Sequence, residues 1–570
     1  MAGPIHYEIY VRKTPPSPWS LAQAMENRGH AVEAAEELLS SGTVAAVRVT
    51  KETLDPETMA FASVTILTKG APEPKRRKEQ AEADVASVCN TPQDLYAPMG
   101  REKVSALLED WLRRNRICAY ELLHRPDLIE RLEASGVELQ HAIQKIAVPE
   151  SQATGRKVHD VIRHYQRLAE AAIARVLTVS RRGGFTDPAQ TPLAEIADRL
   201  AGRPDAAFLM GGSLCRATAA GQGPADRLGV LMDMADQAPA GGPGRALVLG
   251  QIEQLLSDVT AQPTGLAAIL GPGLAPGAAL AAIVRMCAPA EVDLVVRIDP
   301  RMGQLIPTVS GPTGRLAQHI AAGAFPTLAR SLIRMVLREL AGNRRLQPGP
   351  ALGEIAILRA LAAAMAAATG RLMSAEEVQE AFVERSKMLV TADFVGACTN
   401  DQETALQEVE SLTRLCENVT GPSNKRAAAR WLCASLTSVR FETEMRSANL
   451  HPVQKLSVLA GLQRSIRACA LGENDQEQAL GAVGAIGGLV ESDARLVALM
   501  VKAGAPPTQK ITALLRLAAG QTGPTGPAAD RAKAEVLRLM KSPEARTALT
   551  AAPDMLQEIR GLMKTAGMAA

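Results

Sequence analysis

Aromatic side chains are scarce: seven Phe, five Tyr and three Trp make up 3% of 570 residues. A core of stacked rings is therefore excluded, and packing must come from Ala, Leu, Val, Ile and the 19 Met. Ala and Leu favour helix, whereas stable sheets draw on β-branched and aromatic residues. Net charge is nearly absent too, with 63 basic residues against 60 acidic ones. No global field pulls such a chain onto nucleic acid or anionic lipid, so binding of that kind has to be local. The 47 Arg against 16 Lys, with the Ala and Gly load, is the bias of a GC-rich bacterial genome and says little about phosphate.

Long apolar runs are missing. The most apolar stretches, Leu361–Thr369 and Ala278–Val284, fall short of the roughly 20 residues a spanning helix needs, so no membrane insertion is expected. The start, MAGPIHYEIYVRK, has neither the basic nor the apolar region of a secretion signal, which points to the cytoplasm. The eight Cys stand singly in apolar contexts without a CxxC, the pattern of reduced, buried thiols.

Apolar residues are 47% and charged residues 22% of the chain, enough to fill globular cores, and the length calls for several units. In residues 1–70, Ile5, Tyr7, Ile9 and Val11 alternate as in a strand, and a second extended piece follows around Trp19–Met25. A helix is expected over His30–Leu39, facing inward with Val32, Ala35, Leu38 and Leu39. Strands follow at Val44–Thr50 and Phe61–Thr68. The order ββαββ describes a small α/β domain. Residues 71–84, with Lys75-Arg76-Arg77-Lys78 among prolines, read as a basic linker.

Everything beyond reads as mainly α. In 85–180 the apolar residues recur at helical spacing: Val104, Leu107, Leu108, Trp111, Leu112, then Leu128, Leu132, Val137 and on to Leu177. Residues 181–325 are interrupted by Gly and Pro, predicting short helices and many loops, with Asp293–Asp299 open between strand and helix end. Over 326–570 the stripes sharpen, Ser374-x-x-Glu377 is a capping box, and later helices open with Pro506-Pro507, Pro527, Pro543 and Pro553. The expected architecture is a multi-helix bundle or a HEAT-like helical stack behind the small N-terminal domain.

Catalytic patterns are weak. Gly311–Arg315 and Gly520–Gly526 lack the Lys-Ser/Thr of a phosphate loop and read as flexible loops. Gly211-Gly212-Ser213-Leu214-Cys215 lacks the last Gly of a nucleophile elbow and reads as a loop with a helix cap at Ser213. His159 and His164 do not share a helix face as a metal pair would, and His124, His141 and His319 are lone candidate bases without a visible partner. No metal, no other cofactor and no catalytic residue is assigned.

One cluster runs against a local rule. Lys425, Arg426 and Arg430 sit at the opening of a helix that Asn424 would cap, where the helix dipole favours acidic residues. These three are the candidate partner-binding residues, with Trp431 expected to pack beneath them. The bland alternative is pairing with a neighbouring helix that carries Glu408, Glu410 and Glu417. The resulting expectation is a scaffold or regulatory protein with a protein partner. The alternatives are a nucleic-acid-associated factor using the linker and Arg-rich helices, and an enzyme with a site assembled in 181–325. The oligomeric state stays open.

Overall fold

The computed structural model describes residues 5–14, 19–54, 61–71, 89–221, 223–551 and 553–568. Among them are four strands and 29 helices. The chain divides into two compact units, Met1–Cys89 with Gln152–Gly155, and Asn90–Ser151 with Arg156–Ala570. The segments drawn at 85, 181 and 326 thus fall almost wholly within the second unit. The basic run Lys75–Lys78 lies outside the described residues.

In the first unit, β1 (Ile5–Arg12), β2 (Ser20–Met25), α1 (Arg28–Ser40), β3 (Ala46–Leu54) and β4 (Phe61–Gly70) realise ββαββ. The sheet is antiparallel throughout, in the order β2-β1-β3-β4. Period-two alternation turns Ile9, Val11, Val47 and Val49 to one face, where they bury against Ala31 and Ala35 of α1. Val32, expected to face inward, is only partly covered, and Ala31 takes that place because small residues let the helix sit close to the strands. Asn27 caps α1 by accepting from the N–H groups of Gly29 and His30. Elsewhere in this unit two guanidinium groups approach the Trp19 ring, Arg12 at 4.8 Å and Arg48 at 4.4 Å.

The second unit begins with a 3-10 turn (Pro92–Tyr96) and continues as α2 (Pro98–Leu107), α3 (Glu109–Asn115), α4 (Ala119–Leu122), α5 (Pro126–Ala134), α6 (Glu138–Thr154) and α7 (Val158–Arg181). Next come α8 (Leu193–Leu200), α9 (Ala206–Thr218), α10 (Pro224–Asp236), α11 (Gly242–Ala261), α12 (Pro263–Leu270), α13 (Pro276–Cys287), α14 (Pro289–Ile298), α15 (Gly311–Ala321) and α16 (Pro326–Ala341).

The helices of 181–325 are mostly short, as expected, but two loop readings there, Gly311–Arg315 and Gly211–Cys215, need correcting. Most prolines there start helices rather than break them, because a first-turn residue has no N–H to lose. Gly311–Arg315 is accordingly the first turn of α15, and Asp293–Asp299 is the end of α14 and its cap. Gly211–Ser213 lies inside α9, with Ser213 donating to Leu209 O instead of capping.

From residue 351 the helices come in triplets, two long and one short. They are α17 (Ala351–Ala367), α18 (Ala375–Leu389) and α19 (Ala392–Thr399); α20 (Ala405–Asn418), α21 (Pro422–Leu436) and α22 (Val439–Ser447); α23 (Pro452–Ala468), α24 (Glu473–Ala494) and α25 (Leu496–Lys502); α26 (Pro507–Ala518), α27 (Pro527–Met540) and α28 (Pro543–Thr550). The last helix is α29 (Pro553–Thr565). Equivalent helices pack on one another: α17 on α20 and α20 on α23, α18 on α21, α21 on α24 and α24 on α27. This is the stacked alternative, with a period of about 50 residues. Thr420-Gly421-Pro422 and Thr525-Gly526-Pro527 open equivalent helices, each glycine held at positive φ, 95° and 127°. Thr391, Ser438 and Ser542 cap the short helices by accepting from the N–H of Phe394, Phe441 and Ala545. The third triplet has Arg495 at that place, and the Glu491 carboxylate accepts from Val497 N instead. No single helix among the described residues is long and apolar enough to cross a membrane.

Candidate functional sites

The Pro422 start places Lys425 one turn into α21, pointing at the ends of two other helices. Its Nζ donates to the carbonyls of Cys416 (2.6 Å), Glu417 (3.2 Å) and Cys469 (2.6 Å). A cation there offsets the negative ends of the α20 and α23 dipoles. Burial lowers its pKa against the pull of the surrounding thiol and carboxylate groups. Asn424 is buried and does not cap the helix. Gly421 is the cap residue, and Asn424 Nδ2 donates to Val383 O and Thr420 O.

Arg426 and Arg430, one turn apart, are exposed and have no ion pair or hydrogen bond among the described residues. Trp431 beside them is 40% exposed, its Nε1 donating to Val390 O at 3.4 Å, so it does not lie buried beneath the cluster. Of the expected acidic neighbours, Glu408 is engaged with Ser435 and Arg440 and Glu417 with Arg359, while Glu410 is exposed and pairs with neither Arg426 nor Arg430.

The remaining sequence candidates separate. His319 pairs with Asp236, which also receives Arg315. His141 faces an open groove of about 660 Å³, where Arg113 pairs with Asp110 and Arg114 with Glu138. Among the described residues no group of three or more His, Cys, Asp or Glu is placed to hold a metal. All eight cysteines are free and buried, and burial pushes the Cys118 and Cys215 thiols well up, away from a nucleophilic thiolate.

His124 is different. In a chain with twelve Phe and Tyr, four gather around it. Tyr120 stacks on the imidazole at 4.3 Å, Tyr96 and Phe208 stand 5.4 and 5.5 Å away, and Phe185 meets Phe208 at 5.4 Å. The Gly211-Gly212 pair of α9 admits these rings. A Cβ on Gly211 would lie 2.6 Å from both His124 Nε2 and the Tyr120 hydroxyl, and one on Gly212 would lie 2.0 Å from the Phe185 ring.

Beneath the rings, polar groups tie distant helices together. Arg101 donates to both Asp258 oxygens at 3.0 Å and to Gln254, Tyr120 Oη donates to Gln251 (2.7 Å), and Arg227 pairs with Glu121 out of solvent. His124 Nδ1 is 2.7 Å from Tyr120 O. A carbonyl can only accept, so Nδ1 carries the proton and Nε2 is left with a lone pair. Burial, aided by the Arg101 and Arg175 charges, takes the imidazole pKa down to about 4, so it is neutral near pH 7.

A cavity of about 280 Å³ opens on this cluster, bounded by the 3-10 turn, α4, α7, α9 and α11. Arg175 leans over the Phe208 ring at 4.0 Å, and the buried Tyr96 hydroxyl has no hydrogen-bond partner. Burial raises the pKa of that phenol to about 12. Sequence reasoning named His124 but not its surroundings, because Tyr96, Arg175 and Phe208 are remote along the chain. The usable signal was the concentration of scarce rings near a Gly-Gly inside an apolar helix. No protein-family model, curated protein or solved structure matches this chain.

Proposed function

We propose that this protein is a helical-stack interaction protein that captures an acidic segment of a protein partner on the outer surface of α21. The observation that supports this reading is the pair of uncommitted guanidinium groups, Arg426 and Arg430, beside an exposed Trp431. Arg and Trp are the residue types that most often dominate binding energy at protein interfaces. A carboxylate partner would satisfy the fork-shaped donors in a way water does not. Lys425 plays a supporting part, holding the first turn of α21 against the ends of α20 and α23. The nucleic-acid reading leaned on Lys75–Lys78, outside the described residues, and on the Arg-rich helices, many of whose arginines pair with carboxylates of the chain itself, such as Arg113, Arg440 and Arg446.

The test titrates the full chain with a synthetic Glu/Asp-rich helical peptide while following Trp fluorescence. Saturable binding is expected, weakening as ionic strength rises from about 0.01 to 1 M and the Debye length falls from about 30 to 3 Å. The Arg426→Ala/Arg430→Ala variant should melt like the wild type, since exposed charges contribute no more than about 1 kcal/mol, yet lose the peptide. A double variant that binds the peptide as the wild type does would overturn the proposal.

A further inference from the structure

The cavity at His124 holds groups that the fold itself leaves unspent, and this second inference does not depend on the surface of α21. Arg175 is half-buried, lies over the Phe208 ring at 4.0 Å and the Tyr96 ring at 5.3 Å, and makes no ion pair or hydrogen bond among the described residues. Asp205, which also lines the cavity, is occupied by Arg203 through two contacts of 3.0 and 3.1 Å. A guanidinium presents its donors in a planar fork, which a carboxylate meets two at a time.

Gln251 and Gln254 accept from Tyr120 and Arg101 through their carbonyl oxygens, while their NH₂ groups make no hydrogen bond among the described residues. The Tyr96 hydroxyl is buried without a partner, which native proteins rarely tolerate unless a ligand or water completes it. His124 Nε2 adds an acceptor that makes no hydrogen bond among the described residues.

We infer that this cavity is a binding site for a small aromatic carboxylate, its acid group received by Arg175, its ring lying against the Phe208 and Tyr96 side of the cavity, and a ring hydroxyl placed to donate to His124. Size supports the class. A cavity of about 280 Å³ lies at the small end of the range of ligand pockets and leaves room for a single-ring acid. The sign of the charge supports it as well, since the cavity presents an unpaired cation and no unpaired carboxylate among the described residues.

The experiment is calorimetric titration of the full chain with benzoate, 4-hydroxybenzoate, benzamide and inorganic phosphate, repeated on two variants. Benzoate should bind saturably and 4-hydroxybenzoate more tightly. Benzamide, which keeps the ring and loses the charge, should bind at least about tenfold more weakly, as should benzoate to Arg175→Gln, the factor for losing one charged hydrogen bond. Tyr96→Phe removes a hydroxyl that bonds nothing in the protein, so it should leave the melting temperature unchanged or raised while weakening the carboxylates severalfold. That split guards against a variant that fails merely by unfolding. The inference is overturned by absence of heat with both carboxylates, by phosphate or benzamide binding as tightly as benzoate, or by Arg175→Gln or Tyr96→Phe binding benzoate like the wild type.

Discussion

The front of the helical unit and the stack behind it are held together by similar buried polar bonds that span very different lengths of chain. In front, Arg101 reaches Asp258 across 157 residues, Gln262 reaches Ile117 across 145, Tyr120 reaches Gln251 across 131 and Arg227 reaches Glu121 across 106. In the stack, Arg385 reaches Leu340 across 45, Lys425 reaches Cys469 across 44, Gln463 reaches Thr525 across 62 and Arg531 reaches Glu491 across 40. Each stack bond joins one triplet to the next or to the helix just before it. The front must close large loops before its contacts form, whereas the stack gains stability neighbour by neighbour. A concave ligand site belongs to the first kind of architecture, and an extended docking surface to the second.

The largest effect should come from breaking one buried pair in each region. Glu121→Ala leaves Arg227 buried without its carboxylate, a loss of about 3–5 kcal/mol. Because Glu121 also accepts from Cys118 N and Arg227 donates to Arg116 O, hydrogen exchange should accelerate together in α4, α10 and the turn between α3 and α4. Glu491→Ala should do less, since Arg531 is partly exposed, and faster exchange should stay within α24, α25 and α27. Acceleration spreading through the whole unit from Glu491→Ala would erase the distinction between the regions.

Acid should next single out the front. His124 has a folded pKa near 4 against 6.5 for the free side chain, so between those values the unfolded chain binds a proton that the folded one does not. Stability from this group is therefore complete above about pH 6.5 and declines as pH falls to about 4, by about 3 kcal/mol in total. Denaturant melts across that range should show the front destabilised, and His124→Asn should flatten the slope. An unchanged slope in the variant would place the sensitivity elsewhere.

Two glycines sharpen the contrast at an intermediate size. A Cβ on Gly212 would meet the Phe185 ring at 2.0 Å, and one on Gly484 would meet Thr525 O at 2.5 Å. Both alanine variants should lose about 1–3 kcal/mol through overpacking. Only Gly212→Ala should also disturb benzoate binding, because it displaces rings around the cavity. Gly484→Ala instead separates α24 from the loop that opens α27.

What was legible in the sequence follows the same division. The strands around Ile9 and Val49 and the stripes of α16, α18, α20, α21 and α23 were readable because local periodicity reports burial directly. The triplet stacking was not, since the repeated element is a packing relation and only fragments such as Thr-Gly-Pro recur as residues. Arg426 and Arg430 were nominated from a local conflict with the helix dipole. Sequence could not tell that Lys425 next to them turns inward to three carbonyls, because those acceptors belong to the ends of other helices. The His124 cavity was invisible for the reason that defines the front: its walls come from residues 93 to 254.

The smallest effect concerns a helix end in the stack. Ala470 follows the C-cap residue of α23 and adopts φ of 50°, a left-handed conformation usually given to glycine at that place. A side chain there costs about 1–2 kcal/mol, against about 0.5–1 kcal/mol of extra chain entropy lost when glycine is fixed. Ala470 is exposed, so no packing is sacrificed by removing its methyl group. Ala470→Gly should accordingly stabilise the protein by up to about 1 kcal/mol, seen as slower exchange at the end of α23 and the start of α24. The front should show no change, since the gain passes only to neighbouring helices. A melting temperature that falls in Ala470→Gly would mean that the methyl group contributes more to this helix end than the relief of strain returns.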